Sequence, residues 1–189
     1  MQQILWHKFN SSKTTRRITM IAKKASLCAG SKEQITVPNG FSDVPGDGLC
    51  FYHAIVFQLN SSYTAQDIKA KAIDHILTNQ AYYKTFVNGL EIPEIKLQMT
   101  FDRAMEKYIN YHLKANTWAD HLIIQAVADA LGMSIVVCMF DIDGIESGRM
   151  HVNPHQDFMQ HQGGSIRKLV IGNISNLHFV TQELITAET

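Results

Sequence analysis

The richest chemistry in the chain lies in Asp43-Val44-Pro45-Gly46-Asp47-Gly48-Leu49-Cys50-Phe51-Tyr52-His53. A cysteine stands directly behind a turn with two glycines and at the first turn of an apolar stretch, Cys50 to Leu59. Phe51, Ile55 and Leu59 recur there at helical spacing. Unpaired amides and the positive end of a helix dipole favour a thiolate at such a position. Glycines let the backbone approach a substrate and turn N–H groups toward a developing oxyanion. The chemistry on offer is nucleophilic attack by sulfur. A free cysteine simply packed into the core is the competing reading, and Gly-Asp-Gly in front with a helix behind weighs against it.

A nucleophilic cysteine needs a base, and there are nine histidines. His178 opens a short apolar strand, Phe179-Val180, after the loop Asn173 to Leu177, which suits a pair formed across the fold. His53 lies three residues after Cys50 on roughly the same helix face and reads as packed and satisfied. His75 and His112 fall inside helices and read as exposed or capping. His151, His155 and His161 lie close together, but no cysteine or regularly spaced acid completes a metal set, so they read as loop histidines. Asp141-x-Asp143-Gly144 has the start of a calcium loop. Ile145 and Val152 stand where its fifth and twelfth positions belong, which leaves a turn.

The elements that must position Cys50 and His178 are legible in outline. Val37-Pro38-Asn39-Gly40 and Pro45-Gly46-Asp47-Gly48 form turns. After the Cys50 helix, Thr64 with Asp67 three residues on reads as an N-cap, and Ile68, Ala72, Ile76 and Leu77 mark the inner face of a second helix. Pro93 breaks the chain. Phe101, Met105, Tyr108 and His112 mark a third helix, and Leu122, Ala126 and Ala130 a fourth that Gly132 terminates. Ile135 to Phe140 is a continuous apolar run, read as a central strand buried on both faces. Arg149 to Val152, Leu169 to Ile171 and Phe179 to Thr181 are further strands. Gly163-Gly164 ends the polar stretch between the second and third of the four. Helices lead and a small sheet follows, so the fold class is α+β, or α/β with a helical lobe against a mainly antiparallel sheet.

Composition sets the boundaries. A chain of 189 residues with 46% hydrophobic and 18% charged residues suits one globular domain with a short arm. Three cysteines without a C-x-x-C pair point away from a disulfide scaffold or a thiolate zinc site. No apolar run approaches membrane-spanning length, so no span is expected. The net charge of zero hides an asymmetry: residues 1–32 hold seven basic residues and no acid, leaving an acidic body. The arm reads as a mobile basic tail, with the Ser/Thr-rich, acid-poor make-up of a transit peptide as a second reading. The acidic body points away from nucleic acid as a partner.

Gly46-Asp47-Gly48-Leu49-Cys50-Phe51-Tyr52 resembles the D-G-x-C-F/L-[FY] signature of the ovarian-tumour (OTU) family of cysteine deubiquitinases. Trp118-Ala119-Asp120 resembles that family's W-G/A-[DG] segment, and Asn176-Leu177-His178-Phe179 resembles its terminal N-H-[YF] motif, in the family's order. The resemblance implies a papain-related fold, a small mainly antiparallel sheet packed between helical lobes, over residues 33–185. The arm 1–32 and the tail 186–189 would lie outside it. It implies Cys50 as nucleophile, His178 as general base and then acid, and oxyanion amides from Asp47, Gly48 and Leu49. Gly48 would also keep the cleft narrow enough for a Gly-Gly tail, and Trp118 would wall it. The implied activity is hydrolysis of the isopeptide bond after the last glycine of ubiquitin or a ubiquitin-like modifier, with no cofactor and no metal.

One departure matters. Many family members place an Asp or Asn two residues after the histidine to accept from its ring, taken here as Nδ1–H, and this chain has Val180. Some members draw the acid from upstream of the cysteine, and Asp43 fits that pattern. Asp47, as the motif's own aspartate, fits a brace for the oxyanion turn, though it too is counted among the catalytic candidates. Asn173 and Asn176 stay open, with Asp43 preferred. The missing acid gives weight to a second reading, a ubiquitin-binding module that turns over poorly. A papain-like peptidase or acyltransferase with another substrate is the third. Small size and this departure resemble bacterial effector or viral members, and reduced cysteines point to a cytosol, a host's included.

Overall fold

The N-terminal end of the Cys50 helix is set by the turn before it. Asp47 accepts a hydrogen bond at Oδ1 from the Leu49 amide (2.8 Å), and helix α1 then runs Cys50–Leu59. The computed structural model describes residues 35–59, 62–87, 99–158 and 166–183. The arm over 1–32, Pro93, Gly163-Gly164, His161 and the tail over 186–189 lie outside the described residues. Within them, β1 (Phe41–Ser42) precedes α1, and α2 (Ala65–Thr78), α3 (Gln80–Val87), α4 (Phe101–His112) and α5 (His121–Leu131) follow it. Then come β2 (Ser134–Phe140), β3 (Glu146–Val152), β4 (Lys168–Ile174) and β5 (His178–Gln182).

The strands form one sheet in the order β1-β5-β4-β2-β3. The β4–β2 pair is parallel and the other three are antiparallel. This is the α+β arrangement the sequence predicts. Ile135 to Cys138 are consecutive buried residues in β2, as a strand covered on both faces requires. β3 is longer than its apolar residues indicate and is an edge. Its exposed face carries the Glu146–Arg149 ion pair at 2.6 Å, charge that discourages further pairing.

Local signals specify the helix ends. Thr64 and Asp67 form the full capping box of α2. Gly132 takes the left-handed conformation (φ 62°) that ends α5. The N-cap of α5 is Asp120, whose Oδ1 accepts from the Leu122 and Ile123 amides (3.0 and 2.9 Å) and from the Tyr108 hydroxyl (2.9 Å). Its Oδ2 pairs with His112 Nε2 at 3.3 Å, and His112 is fully buried. The expectation of an exposed or capping His112 is therefore corrected: a buried imidazole is acceptable here because a carboxylate meets it. Burial pushes the Asp120 carboxyl up, but the bond from His112, its charge and the Ile123 amide outweigh burial and hold it below the usual carboxylate value. That contribution to stability is present above the usual range and is lost as pH falls through the lowered value.

Three elements have no counterpart in the sequence reading, one of them a single 3-10 turn over Gln156–Phe158. β1 is only two residues long, and α3 buries only Tyr83 and Val87, too narrow a stripe to show as periodicity. Leu77 and Phe101, expected on inner faces, are exposed. Each sits at a helix end, where the stripe has rotated off the core.

α1 is buried nearly all round, and one polar residue fixes its position. Gln58 donates from Nε2 to the Gln182 carbonyl (2.8 Å) and to Thr181 Oγ1 (3.3 Å), while its Oε1 accepts from the Val170 amide (3.2 Å). Thr181 in turn donates to the Ala54 carbonyl at 3.2 Å. Edge-on contact of Phe51 with Phe179 (centroids 5.3 Å apart) adds apolar packing between α1 and β5. Gln58→Leu keeps the volume but leaves the part-buried Val170 amide and Gln182 carbonyl without this partner, at about 1–2 kcal/mol for each. The expected loss of stability is about 2–4 kcal/mol, read as a lower urea midpoint with an unchanged slope. A loss under about 0.5 kcal/mol would mean that these bonds do not hold the helix to the sheet.

Candidate active site

Cys50 occupies the first position of α1 and is 5% exposed, with a free thiol. His178 is the first residue of β5, its side chain 13% exposed. A turn with positive φ at both Ser175 (51°) and Asn176 (58°) reverses the chain ahead of it, as primed turns do in hairpins. Asn173 Oδ1 accepts from the Asn176 amide at 2.9 Å and braces that turn. Docking α1 on β5 brings the Cys50 thiol close enough to the His178 ring to raise the pKa of the imidazole.

The other side of the ring meets Asp43. Its Oδ1 lies 2.7 Å from His178 Nε2 and also accepts from the Val44 amide at 2.8 Å. The nitrogen that faces the acid is thus Nε2 and not Nδ1, which leaves Nδ1 for the thiol. The register explains how a residue so far away in sequence arrives there. Ser42 pairs with Thr181 and Phe41 with Gln182, so Asp43, one step beyond the ladder, comes opposite Val180. The Pro38-Asn39-Gly40 turn sets that register, with Gly40 at φ 78° and Phe41 N–H bonded to the Pro38 carbonyl at 3.1 Å. Val180 itself is fully buried over Gly172, where an added Cβ would lie 2.6 Å from Val180 Cγ2. An ionised carboxylate at position 180 would have to be desolvated. Asp43 delivers its carboxylate from the solvent side, with 68% of its side chain exposed.

Of the four candidates for the ring's partner, Asp43 is the one bonded to it. Asp47 is bonded elsewhere, through Oδ1 to the Leu49 amide and through Oδ2 to His53 Nε2 at 2.9 Å. Asn173 holds the hairpin turn, and Asn176 is exposed at its tip. The His53–Asp47 bond was not foreseen. Its signal is present, since helical side chains tilt toward the N-terminus and a residue one turn into α1 faces back to the preceding loop.

Gly48 has φ 88°, and a Cβ added there would lie 3.1 Å from both Cβ and the carbonyl oxygen of Asn116. Conformation and close approach both demand glycine at this position. Nothing in the sequence points to Asn116. Leu49 is buried and its amide is committed to Asp47, so the expected oxyanion donors narrow to the rest of the turn. Among the described residues the Gly48 and Cys50 amides donate to no backbone carbonyl. Gly46 lies against the ring, 3.9 Å from His178 Cε1 to a Cβ placed on it. Trp118 is half-buried two residues beyond Asn116. Among the described residues no group of three His, Cys, Asp or Glu side chains is placed to hold a metal. His151 is exposed on β3, and His155 packs beside Tyr82 and Phe158.

The neighbouring Cys50 is the largest influence raising the His178 pKa above 6.5; burial opposes it, and the Asp43 bond and both partners' charges add to the rise. This contribution to stability is complete below 6.5 and is lost as pH rises through the folded value. The arrangement can hold a thiolate beside an imidazolium whose far nitrogen is fixed by a carboxylate.

Comparison with solved structures finds the same fold in several OTU domains. The viral OTU domain protease from Farallon virus superposes with a TM-score of 0.58 at 20% identity, covering 77% of this chain and 83% of that one. The Hazara virus OTU bound to ubiquitin gives 0.55 at 17% identity over 84% and 95%. An OTU deubiquitinase from Wolbachia pipientis wMel gives 0.51 at 14% over 76% and 88%. At these identities the likeness speaks to the fold alone. In sequence, residues 45–168 match the model of the family described as OTU-like cysteine protease, more than half of the chain. The matched span includes Asp47, Cys50 and Trp118, begins after Asp43 and stops short of His178. Comparison with curated protein sequences gives no significant match.

Two outcomes test this geometry. Asp43→Asn removes the charge beside Nε2, so the His178 titration, followed by NMR at ring Cε1–H, is expected to move down toward 6.5. An unmoved or raised titration would mean that the bond does not form in solution. Gly48→Ala forces an L-residue to positive φ against Asn116 and is expected to cost about 1–3 kcal/mol in urea unfolding. A neutral effect would show that the turn relaxes freely.

Proposed function

Because the chain belongs to the OTU-like cysteine protease family, we propose that it is a deubiquitinase. In this reading Cys50 is the nucleophile, His178 the base and acid, and Asp43 the residue that positions the ring. The observation that carries it is the 2.7 Å bond between His178 Nε2 and Asp43 Oδ1, on a ring that also lies beside Cys50 at the start of α1. Ubiquitin enters as substrate because solved relatives of this fold, the Hazara virus and Wolbachia domains, are described in complex with it.

In the first half-reaction the Cys50 thiolate adds to the carbonyl carbon of ubiquitin's last glycine. The oxygen takes up negative charge and faces the amides of Gly48 and Cys50. The His178 imidazolium gives its Nδ1 proton to the departing lysine amine, the C–N bond breaks, and a thioester remains on Cys50. In the second half-reaction Nδ1 takes a proton from water, the hydroxide adds to the thioester, and the C–S bond breaks to release the ubiquitin carboxylate. Asp43 holds Nε2–H throughout and stabilises the imidazolium. Asp47 and His53 brace the turn, and Gly48 and Asn116 narrow the space beside the nucleophile. We extend the proposal to work in a cytosol, a host cell's included, since viral and Wolbachia domains share the fold.

The test is intact-protein mass after incubation with ubiquitin carrying a thiol-reactive C-terminal electrophile. One ubiquitin adduct is expected on wild type and none on Cys50→Ala. His178→Ala should slow adduct formation at least about 100-fold, and Asp43→Ala by about 10- to 100-fold. Tight ubiquitin binding without an adduct would make the protein a binding module. Neither binding nor adduct would remove ubiquitin as the substrate.

A further inference from the structure

Lys69 is a buried cation that the reaction does not use. It is 7% exposed and lies on the inner stripe of α2 with Ala65, Ala72, Ile73 and Ile76. An ammonium removed from water needs acceptors for its three protons. Lys69 has three, and all are neutral: the Lys114 carbonyl at 2.6 Å, the Ala115 carbonyl at 3.2 Å and Thr117 Oγ1 at 2.9 Å. The Thr117 hydroxyl is also within bonding distance of the His112 and Lys114 carbonyls, at 3.2 and 3.1 Å. The cation thus sits just past the C-terminal end of α4, where helix carbonyls favour positive charge.

These acceptors belong to the segment that reaches the nucleophile turn. Residues 113–116 are exposed, so little apolar burial holds them. Asn116, in the middle of the clamped carbonyls and Thr117, is the residue that lies over Gly48. The position of Asn116 decides how much room exists beside Gly48, and Gly48 adjoins the turn that presents Cys50.

We propose that Lys69 is a positioning residue for the substrate channel: from beneath, it pins the 114–117 segment so that Asn116 closes over Gly48 at the width a Gly-Gly tail needs. The proposal rests on the deubiquitinase reading for its substrate, while the clamp itself does not depend on that reading. It predicts that loss of Lys69 impairs capture of the tail and leaves the Cys50–His178 pair intact.

The experiment compares wild type, Lys69→Met, Thr117→Val and, as a control, Lys71→Met, whose ammonium lies over the Tyr63 ring at 4.8 Å on the outer side of the same helix. Three quantities are read: amide hydrogen exchange over 113–119, alkylation at Cys50 by iodoacetamide, and turnover of ubiquitin bearing a C-terminal fluorogenic amide. In Lys69→Met, exchange over 113–118 should accelerate about tenfold or more. KM should rise about tenfold with a smaller change in kcat. Alkylation at Cys50 should stay within about twofold of wild type, and Lys71→Met should match wild type throughout. Unchanged exchange in Lys69→Met overturns the clamp. Faster exchange with unchanged KM overturns its role in the channel, and alkylation that falls in step with turnover places Lys69 on the nucleophile instead. If Lys69→Met does not fold, Thr117→Val removes the loop side of the clamp and is read by the same criteria. A wild type that is alkylated at Cys50 but does not turn over the ubiquitin substrate defeats the proposed function, and exchange alone then decides the clamp.

Discussion

Everything at the site depends on how α1 is seated on β5. Cys50 begins one element and His178 begins the other, so the contact between thiol and imidazole is only as well defined as the docking of helix on strand. Apolar packing alone fixes separation better than it fixes axial position, because a methylene surface slides with little directional preference. Gln58 and Thr181 add direction: their bonds to the Gln182 carbonyl, the Val170 amide and the Ala54 carbonyl tie helix and strands at fixed points. A buried amide of this kind is tolerable because both its nitrogen and its oxygen find partners inside.

The location of the acid follows from the same sheet. His178 and Val180 share a face of β5, and the space at position 180 is filled by a valine packed on Gly172 beside Phe140, which Phe41 meets edge-on. A charge there would be cut off from water by apolar walls. Across the β1–β5 ladder, Asp43 has access to solvent and still reaches Nε2. A carboxylate that is mostly hydrated and bonded at one oxygen can stabilise an imidazolium without the full desolvation penalty of a buried acid. The antiparallel register substitutes for a residue on the same strand.

Three charged residues, two of them buried, carry structural work around this centre. Asp120 joins the start of α5 to Tyr108 and His112 of α4. Asp129 accepts from Tyr83 of α3, from Gln125 and from the His155 amide, linking α3 and α5 to the chain after β3. Lys69 links α2 to the segment after α4. In each case side-chain or backbone polar atoms of another element or loop meet the charged group, so the helical lobe is joined to its loops by bonds with direction. That is what a site assembled from loops needs, since loops bury too little apolar surface to hold themselves.

Local chemistry is what the sequence determines by itself. The helix behind Cys50, the Thr64 capping box, the left-handed Gly132 and the buried run of β2 all depend on neighbours within about one or two turns or a few strand residues, and each is found where those neighbours specify it. A glycine-flanked cysteine and a histidine at a strand start are legible for the same reason. The tertiary structure alone decided which groups meet across the chain. Asp43 bonds a ring 135 residues away, Lys69 bonds carbonyls 45 and 46 residues away, and His112 is buried against Asp120 instead of exposed. Such pairings depend on strand register and on how helices seat against one another. Periodicity along one sequence reports which face of an element is apolar, but not which residue of another element will face it.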